Sequence, residues 1–304
     1  MKIALLLCGQ IRTLVDPRVL KAQNRFIKKY DADVFVSTWD DVGISLWDLY
    51  KNENIYKDKI VSSEDIKKLE NLRSFEINSF QNFIENTENE DIKKRMENYT
   101  NALNEGTSTY DTSKFVTSFP QLFTIYRANN MKKDFEKNNH FIYDLVIKGR
   151  PDFLFFYEID KHLDDANNSL SAINTKEDYW PNRVYDIMYF TNSKNMDKLS
   201  DAYLNYEKLV KTKFAERIKF KYGNKLANKL EHSQKLAKFI NIDKKSKINY
   251  FLKGLHGYDC NRIIFESAKN NKINIVDIEY QIGDLVRVEE VEDLDNYILK
   301  NINY

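Results

Sequence analysis

Few cysteines, prolines and histidines occur in this sequence: 304 residues hold two cysteines, four prolines and four histidines. Cys8 and Cys260 provide neither a disulfide framework nor a metal-ligand spacing, so a reducing compartment is the default. Nothing approaches the ~18 consecutive apolar residues of a membrane span. The opening run, Ile3 to Cys8, is only six residues long and is followed by Gly-Gln-Ile-Arg, without a small-residue cleavage pattern. These features describe a cytoplasmic chain. A Walker-type loop and a Gly-x-Gly-x-x-Gly fingerprint are both missing, which argues against a P-loop kinase and a dinucleotide oxidoreductase. No Ser/His/Asp or Cys/His grouping is identifiable by spacing, and there is no internal repeat or low-complexity linker.

An excess of one charge sign is also absent overall, at a formal +1, but the balance is uneven. From Lys194 to Lys253 there are sixteen basic residues against six acidic ones, a local +10, so the rest of the chain carries −9. Such a block is either a solvated helical face or a surface for an anionic partner such as a membrane. Nucleic acid is not expected, because no reader motif accompanies it.

The regular elements begin with a strand over residues 2–8. A helix follows in DPRVLKAQNRFIKKY, with Asp16 as N-cap and Pro17 in its first turn. DADVFVSTW is a second strand, rich in β-branched and aromatic residues. Strand, helix and strand in about forty residues form a βαβ opening, and ligands of such sheets lie at the carboxyl ends of the strands. The fold class expected is therefore α/β, a mostly parallel sheet flanked by helices in one domain. Residues 51–110 are polar, with helix-like stretches near 62–72 and 88–103, and are taken as a helical insertion or lid. SFPQLFTIYRANNMKKDFEK is amphipathic, with Pro120 in an early turn. It leads to a strand over Leu145–Lys148, a break at Gly149-Arg150-Pro151-Asp152 and a second apolar run. RVYDIMYFTN is a further strand, the basic segment 194–253 is helical, and HGYDCNRIIFESAKNNKINIVDI closes the core as loop, helix and strand.

Three places offer chemistry. At the end of the first strand, Gly9 permits close backbone approach, Gln10 can read a base or ribose edge and Arg12 can neutralise a diphosphate. Asp40 and Trp39, at the end of the second strand, can contact the same ligand, although Trp39 has the character of a core residue. After the middle strand, Arg150 can grip phosphate, and Asp152 can hold Mn²⁺ or Mg²⁺ coordinated by phosphates. Alternatively, Arg150 and Asp152 form an internal ion pair. The two literal Asp-x-Asp pairs, at 31–33 and 293–295, are discounted as metal sites, the first because it precedes a strand at the wrong edge of the sheet. His256, in a glycine-flanked loop, is a candidate general base.

LLLCGQIRT, DVFVSTWD, YDLVIKGRPDFLFF and YDIMYFTNSKNMDKL occur in an order and spacing that resembles the WavE-type and related Cys-Gly-Gln-x-Arg proteins of bacterial lipopolysaccharide and capsule biosynthesis. The matching blocks cover about a third of the chain. The resemblance implies a GT-A-like (Rossmann-like) core and transfer of a sugar from a nucleotide-sugar to a growing surface glycan; the basic block adds the expectation of a glycan or lipid-linked glycan acceptor met at the cytoplasmic face of the inner membrane. It also marks Asp186 and Asp259 as candidate bases. This chain departs from the pattern at Tyr185-Asp186-Ile187, where a glutamine usually follows the aspartate. It departs again at Asp259-Cys260-Asn261, in place of a Pro-Glu pair, leaving Asp259 or Glu266 as the acid there. Transfer of a phosphate-containing group, and a non-catalytic nucleotide- or glycan-binding protein, are the alternative functions.

Overall fold

Six apolar residues in succession suit a strand buried on both faces of a sheet. The first strand, β1 (Ile3–Cys8), is buried throughout. The computed structural model describes residues 1–41, 60–104, 110–155, 159–160, 169–173, 184–209, 260–278 and 283–285. Gly9, at φ +107°, ends β1, and a 3₁₀ turn over Arg12–Val15 leads into helix α1 (Pro17–Tyr30). The Asp16 side chain caps that helix by accepting the Arg18 N–H, and Pro17 occupies the first turn, where its missing N–H costs nothing. Strand β2 (Asp33–Trp39) then pairs parallel to β1, completing the expected βαβ unit.

The polar stretch that follows departs from expectation. Its first helix-like segment contracts to a single turn, α2 (Ser63–Ile66), and the chain then forms strand β3 (Leu72–Asn78), parallel to β2 at the sheet edge. An edge strand is only partly covered, so its polar composition hid it from a search for apolar runs. Two helices follow, α3 (Phe80–Glu85) and α4 (Glu90–Asn104). Helix α5 (Tyr110–Asn138) begins earlier than the periodicity suggested and places Pro120 in its interior.

Strand β4 (Leu145–Gly149) pairs parallel to β1 on the side away from β2. Short β5 (Phe153–Phe155) leaves the main sheet. Strand β6 (Ser169–Ile173) re-enters it, and β7 (Met188–Thr191) lies antiparallel between β4 and β6. Helix α6 (Ser193–Ser200), helix α7 (Cys260–Asn270) and strand β8 (Asn274–Ile278) follow. The last strand, β9 (Gly283–Leu285), pairs with β5 in a two-stranded ribbon. The seven-stranded order is β3-β2-β1-β4-β7-β6-β8, with only β7 reversed among the described strands. This is the mostly parallel α/β sheet expected from the sequence.

Each face of the sheet buries its own core. Leu5, Leu7, Val34, Val36 and Ile147 pack with Phe26 and Ile27 of α1, whereas Leu6, Cys8, Phe35 and Tyr189 pack with Leu122 and Ile125 of α5 and Ile264 of α7. Full burial of each large apolar side chain contributes about 1.5–3 kcal/mol. The chain moves from β1 toward β2 and β3 on one side and toward β4 on the other. The direction of winding therefore changes between β1 and β4, the place where sheets of this class have their ligand crevice, at the carboxyl ends of the strands.

Candidate functional site

Gly9 and Arg12 follow β1, and Arg150, Pro151 and Asp152 follow β4, so both groups lie at this change of winding. The Asp152 carboxylate accepts Nε and Nη2 of Arg150 at 2.9 and 2.6 Å, and Nη1 of Arg12 at 3.4 Å. Asp152 is buried, while the two arginine side chains keep 17% and 28% of their surface exposed. Burial alone would raise the Asp152 pKa, but the Arg150 and Arg12 charges and the Arg150 hydrogen bonds outweigh it and hold the carboxyl below its ordinary value. Burial likewise opposes the charge of Arg150, yet Asp152 and the nearby Asp186 raise its pKa. Two cations around one anion leave a net +1 in this knot.

Local backbone geometry supports the arrangement. Arg12 adopts φ +48°, a left-handed conformation that costs a non-glycine residue about 1–3 kcal/mol. Gly9 also needs its positive φ, although a Cβ there would meet nothing within 4 Å. The loop carrying Asp152 is tied to α1 by buried Gln23, whose amide donates to the carbonyls of Pro151 and Phe153. Sequence reasoning passed over Gln23 because a glutamine on the apolar side of a helix announces no partner.

Gln10 donates to Asp41 at 3.2 Å, so the amide after Gly9 reaches the end of β2. Although Asp41 as a residue is exposed, neighbouring protein withdraws enough water from its carboxyl to raise the pKa; Asp40 adds to the rise, and Gln10 and Arg12 oppose it. Asp40 itself accepts the Phe80 N–H at 3.3 Å and so helps to fix the start of α3. Trp39 is buried against Phe80, Phe83 and Phe123, as a core residue.

Asp186 lies on the β4 side of the crevice. Its carboxylate accepts from Gln121 of α5, and its N–H donates to Asn261 of α7 at 2.8 Å. Its carbonyl accepts the amine of fully buried Lys148, whose pKa burial pushes down against the attraction of Asp186. Gln121 and Asn261 were not singled out in the sequence, since only the fold brings them to Asp186. Cys8 is a buried thiol pushed up to about 12 by that burial, which makes it a core residue and not a nucleophile. The other candidates, Asp259 and His256, lie outside the described residues, as do most of the basic segment 194–253 and the pair at 293–295.

The donor set does not fit the divalent cation expected at Asp152. Both of its oxygens accept guanidinium N–H groups, and a second cation would have to enter beside two arginines. Among the described residues, no three His, Cys, Asp or Glu side chains converge as a metal cluster. Asp31 and Asp33 stand at the amino edge, Asp31 capping the end of α1 and Asp33 accepting the Tyr143 hydroxyl at 2.6 Å. No helix among the described residues is long and apolar enough to cross a membrane.

No family model matches the chain, and no curated protein matches it by sequence. Among solved structures, it is similar to mouse xyloside xylosyltransferase 1 in its apo form. That match spans 100% of this chain and 93% of the other at 7% identity, with a TM-score of 0.35. A likeness of this depth carries no argument about activity.

Proposed function

We propose that the protein is a glycosyltransferase with a GT-A-like core, moving a sugar from a nucleotide-sugar to a bacterial surface polysaccharide acceptor, capsule or lipooligosaccharide. The observation that carries the reading is the convergence of Arg12 and Arg150 at the change of winding, around one buried carboxylate. Negative charge builds on the departing nucleoside diphosphate in the transition state, and cations already fixed there lower the barrier. Asp152 takes two of the five N–H donors of Arg150 and acts as a positioning residue. Gln10, beside Asp41, is placed to meet the ribose or base. Asp186, held by Gln121 and Asn261, is the base for the acceptor hydroxyl if the reaction inverts. Docking of the basic segment on anionic lipid at the cytoplasmic face completes the proposal.

One observation favours a non-catalytic binding protein instead: the Arg150–Asp152 pair is bidentate and satisfies itself. Thermal shifts with UDP, GDP and CMP, with chelator and with Mn²⁺, test the donor site. Stabilisation by one nucleotide that survives chelation and disappears in Arg12→Ala is expected. Stabilisation that requires Mn²⁺, or that Arg12→Ala leaves unchanged, would contradict it. Slow hydrolysis of the matching nucleotide-sugar, reduced in Asp186→Asn, separates the enzyme from the binder.

A further inference from the structure

A second site lies further along the same edge of the sheet. Beyond Asn78, the end of β3, a groove of about 1060 Å³ runs between α3 and the following turn on one side and Tyr203–Lys208 on the other. It lies at the upper end of the ~300–1,000 Å³ usual for ligand sites and is open along its length. Its floor is aromatic. Phe83 and Phe123 have ring centroids 4.6 Å apart, and Phe119 meets Tyr203 at 4.9 Å. Trp39 joins this cluster at 5.1 Å from Phe83, linking the groove to the end of β2.

Its walls carry carboxamides. Asn82 and Asn205 are exposed on opposite sides; the Asn82 side-chain amide makes no hydrogen bond among the described residues, and the Asn205 side-chain amide donates one N–H to the Asp201 carbonyl at 2.9 Å. Asn89 donates to Glu207, which ties the two walls together at one point. The charged lining residues among those described are Glu88, Glu90 and Glu207 against Lys208 alone, the opposite sign to the arginine knot.

We infer that this groove binds an uncharged oligosaccharide chain. Carboxamides offer a donor and an acceptor side by side, which matches neighbouring sugar hydroxyls. Half-buried rings present apolar faces to the C–H faces of a pyranose. The acidic rim disfavours a polyanionic glycan or a phosphorylated headgroup. As an acceptor site, the groove rests on the transferase reading; as a glycan-binding site, it stands without it.

The test is saturation-transfer NMR on the full chain without nucleotide. The probes are uncharged gluco-, galacto- and N-acetylglucosamine oligosaccharides, with uronic-acid oligosaccharides as the anionic counterpart. Transfer to one uncharged series is expected, with binding about tenfold weaker in Asn82→Ala/Asn205→Ala through loss of two hydrogen-bonding side chains. The thermal midpoint and nucleotide stabilisation of that variant should match those of the parent, which shows that it is folded. No transfer to any uncharged series, preference for the uronic acids, or unchanged binding by the double variant would overturn the inference. Arg12→Ala should leave oligosaccharide binding intact, so failure of the donor site is read separately.

Discussion

The centre and one end of the sheet's carboxyl edge are built on opposite principles. Over β1 and β4, two guanidinium groups and a buried carboxylate hold one another, and the backbone accepts a left-handed arginine to bring them together. Beyond β3, the surface is an open groove of rings and amides with acidic rim residues. The first is coupled to folding, because a charge left alone in low dielectric is costly. In the second, the exposed amides can change with little effect on the fold, whereas the rings belong to the packing around Trp39. An anion and an uncharged hydroxyl-rich chain are the ligands proposed for these two chemistries.

The difference can be broken most severely at Asp152. Replacing it with alanine leaves Arg150 and Arg12 without their shared anion and should cost about 3–5 kcal/mol in urea unfolding. A loss below about 1 kcal/mol would make the knot a surface pair. Next is Gly9→Ala, which forces a side chain into positive φ and should cost about 1–3 kcal/mol although no neighbour obstructs the Cβ. Thermal unfolding of this variant distinguishes conformational strain from packing.

The acid limb of stability sharpens the comparison. The folded pKa of Asp152 is depressed, so its contribution is complete above the unfolded carboxylate value and is lost as pH falls through the folded one. Asp152→Asn should therefore unfold with a shallower acid dependence than the parent, as followed by circular dichroism. Asn82→Ala/Asn205→Ala should have the smallest effect, within about 0.5 kcal/mol of the parent in the same urea experiment.

Much of the region around β1 and β2 was legible in the sequence. The Leu-Leu-Leu run, Asp16, Pro17 and the β-branched second strand are local signals, and each formed the element it announced. The change of winding between β1 and β4 follows from strand order, which no window of residues encodes. Arg12 and Asp152 could therefore be proposed as neighbours but not paired. The groove was hidden for a related reason. Its rings come from α3, from α5 and from the turn after α6, and its amides stand in two segments, Asn82 in the polar stretch 51–110 taken as a helical insertion or lid and Asn205 in the basic segment 194–253. Strand β3, which anchors it to the sheet, lacks the apolar run that marks a buried strand.

The account depends most on an anion entering between the first and fourth strands. Calorimetric titration of UDP, GDP and CMP into the full chain in the presence of chelator, for the parent and for Arg12→Ala, is the direct measurement. Binding of one nucleotide by the parent and a loss of at least about tenfold in the variant are predicted, as expected for removal of a charge-assisted phosphate contact. Equal affinities in the two proteins, or no nucleotide bound by the parent, would contradict the donor site at its foundation.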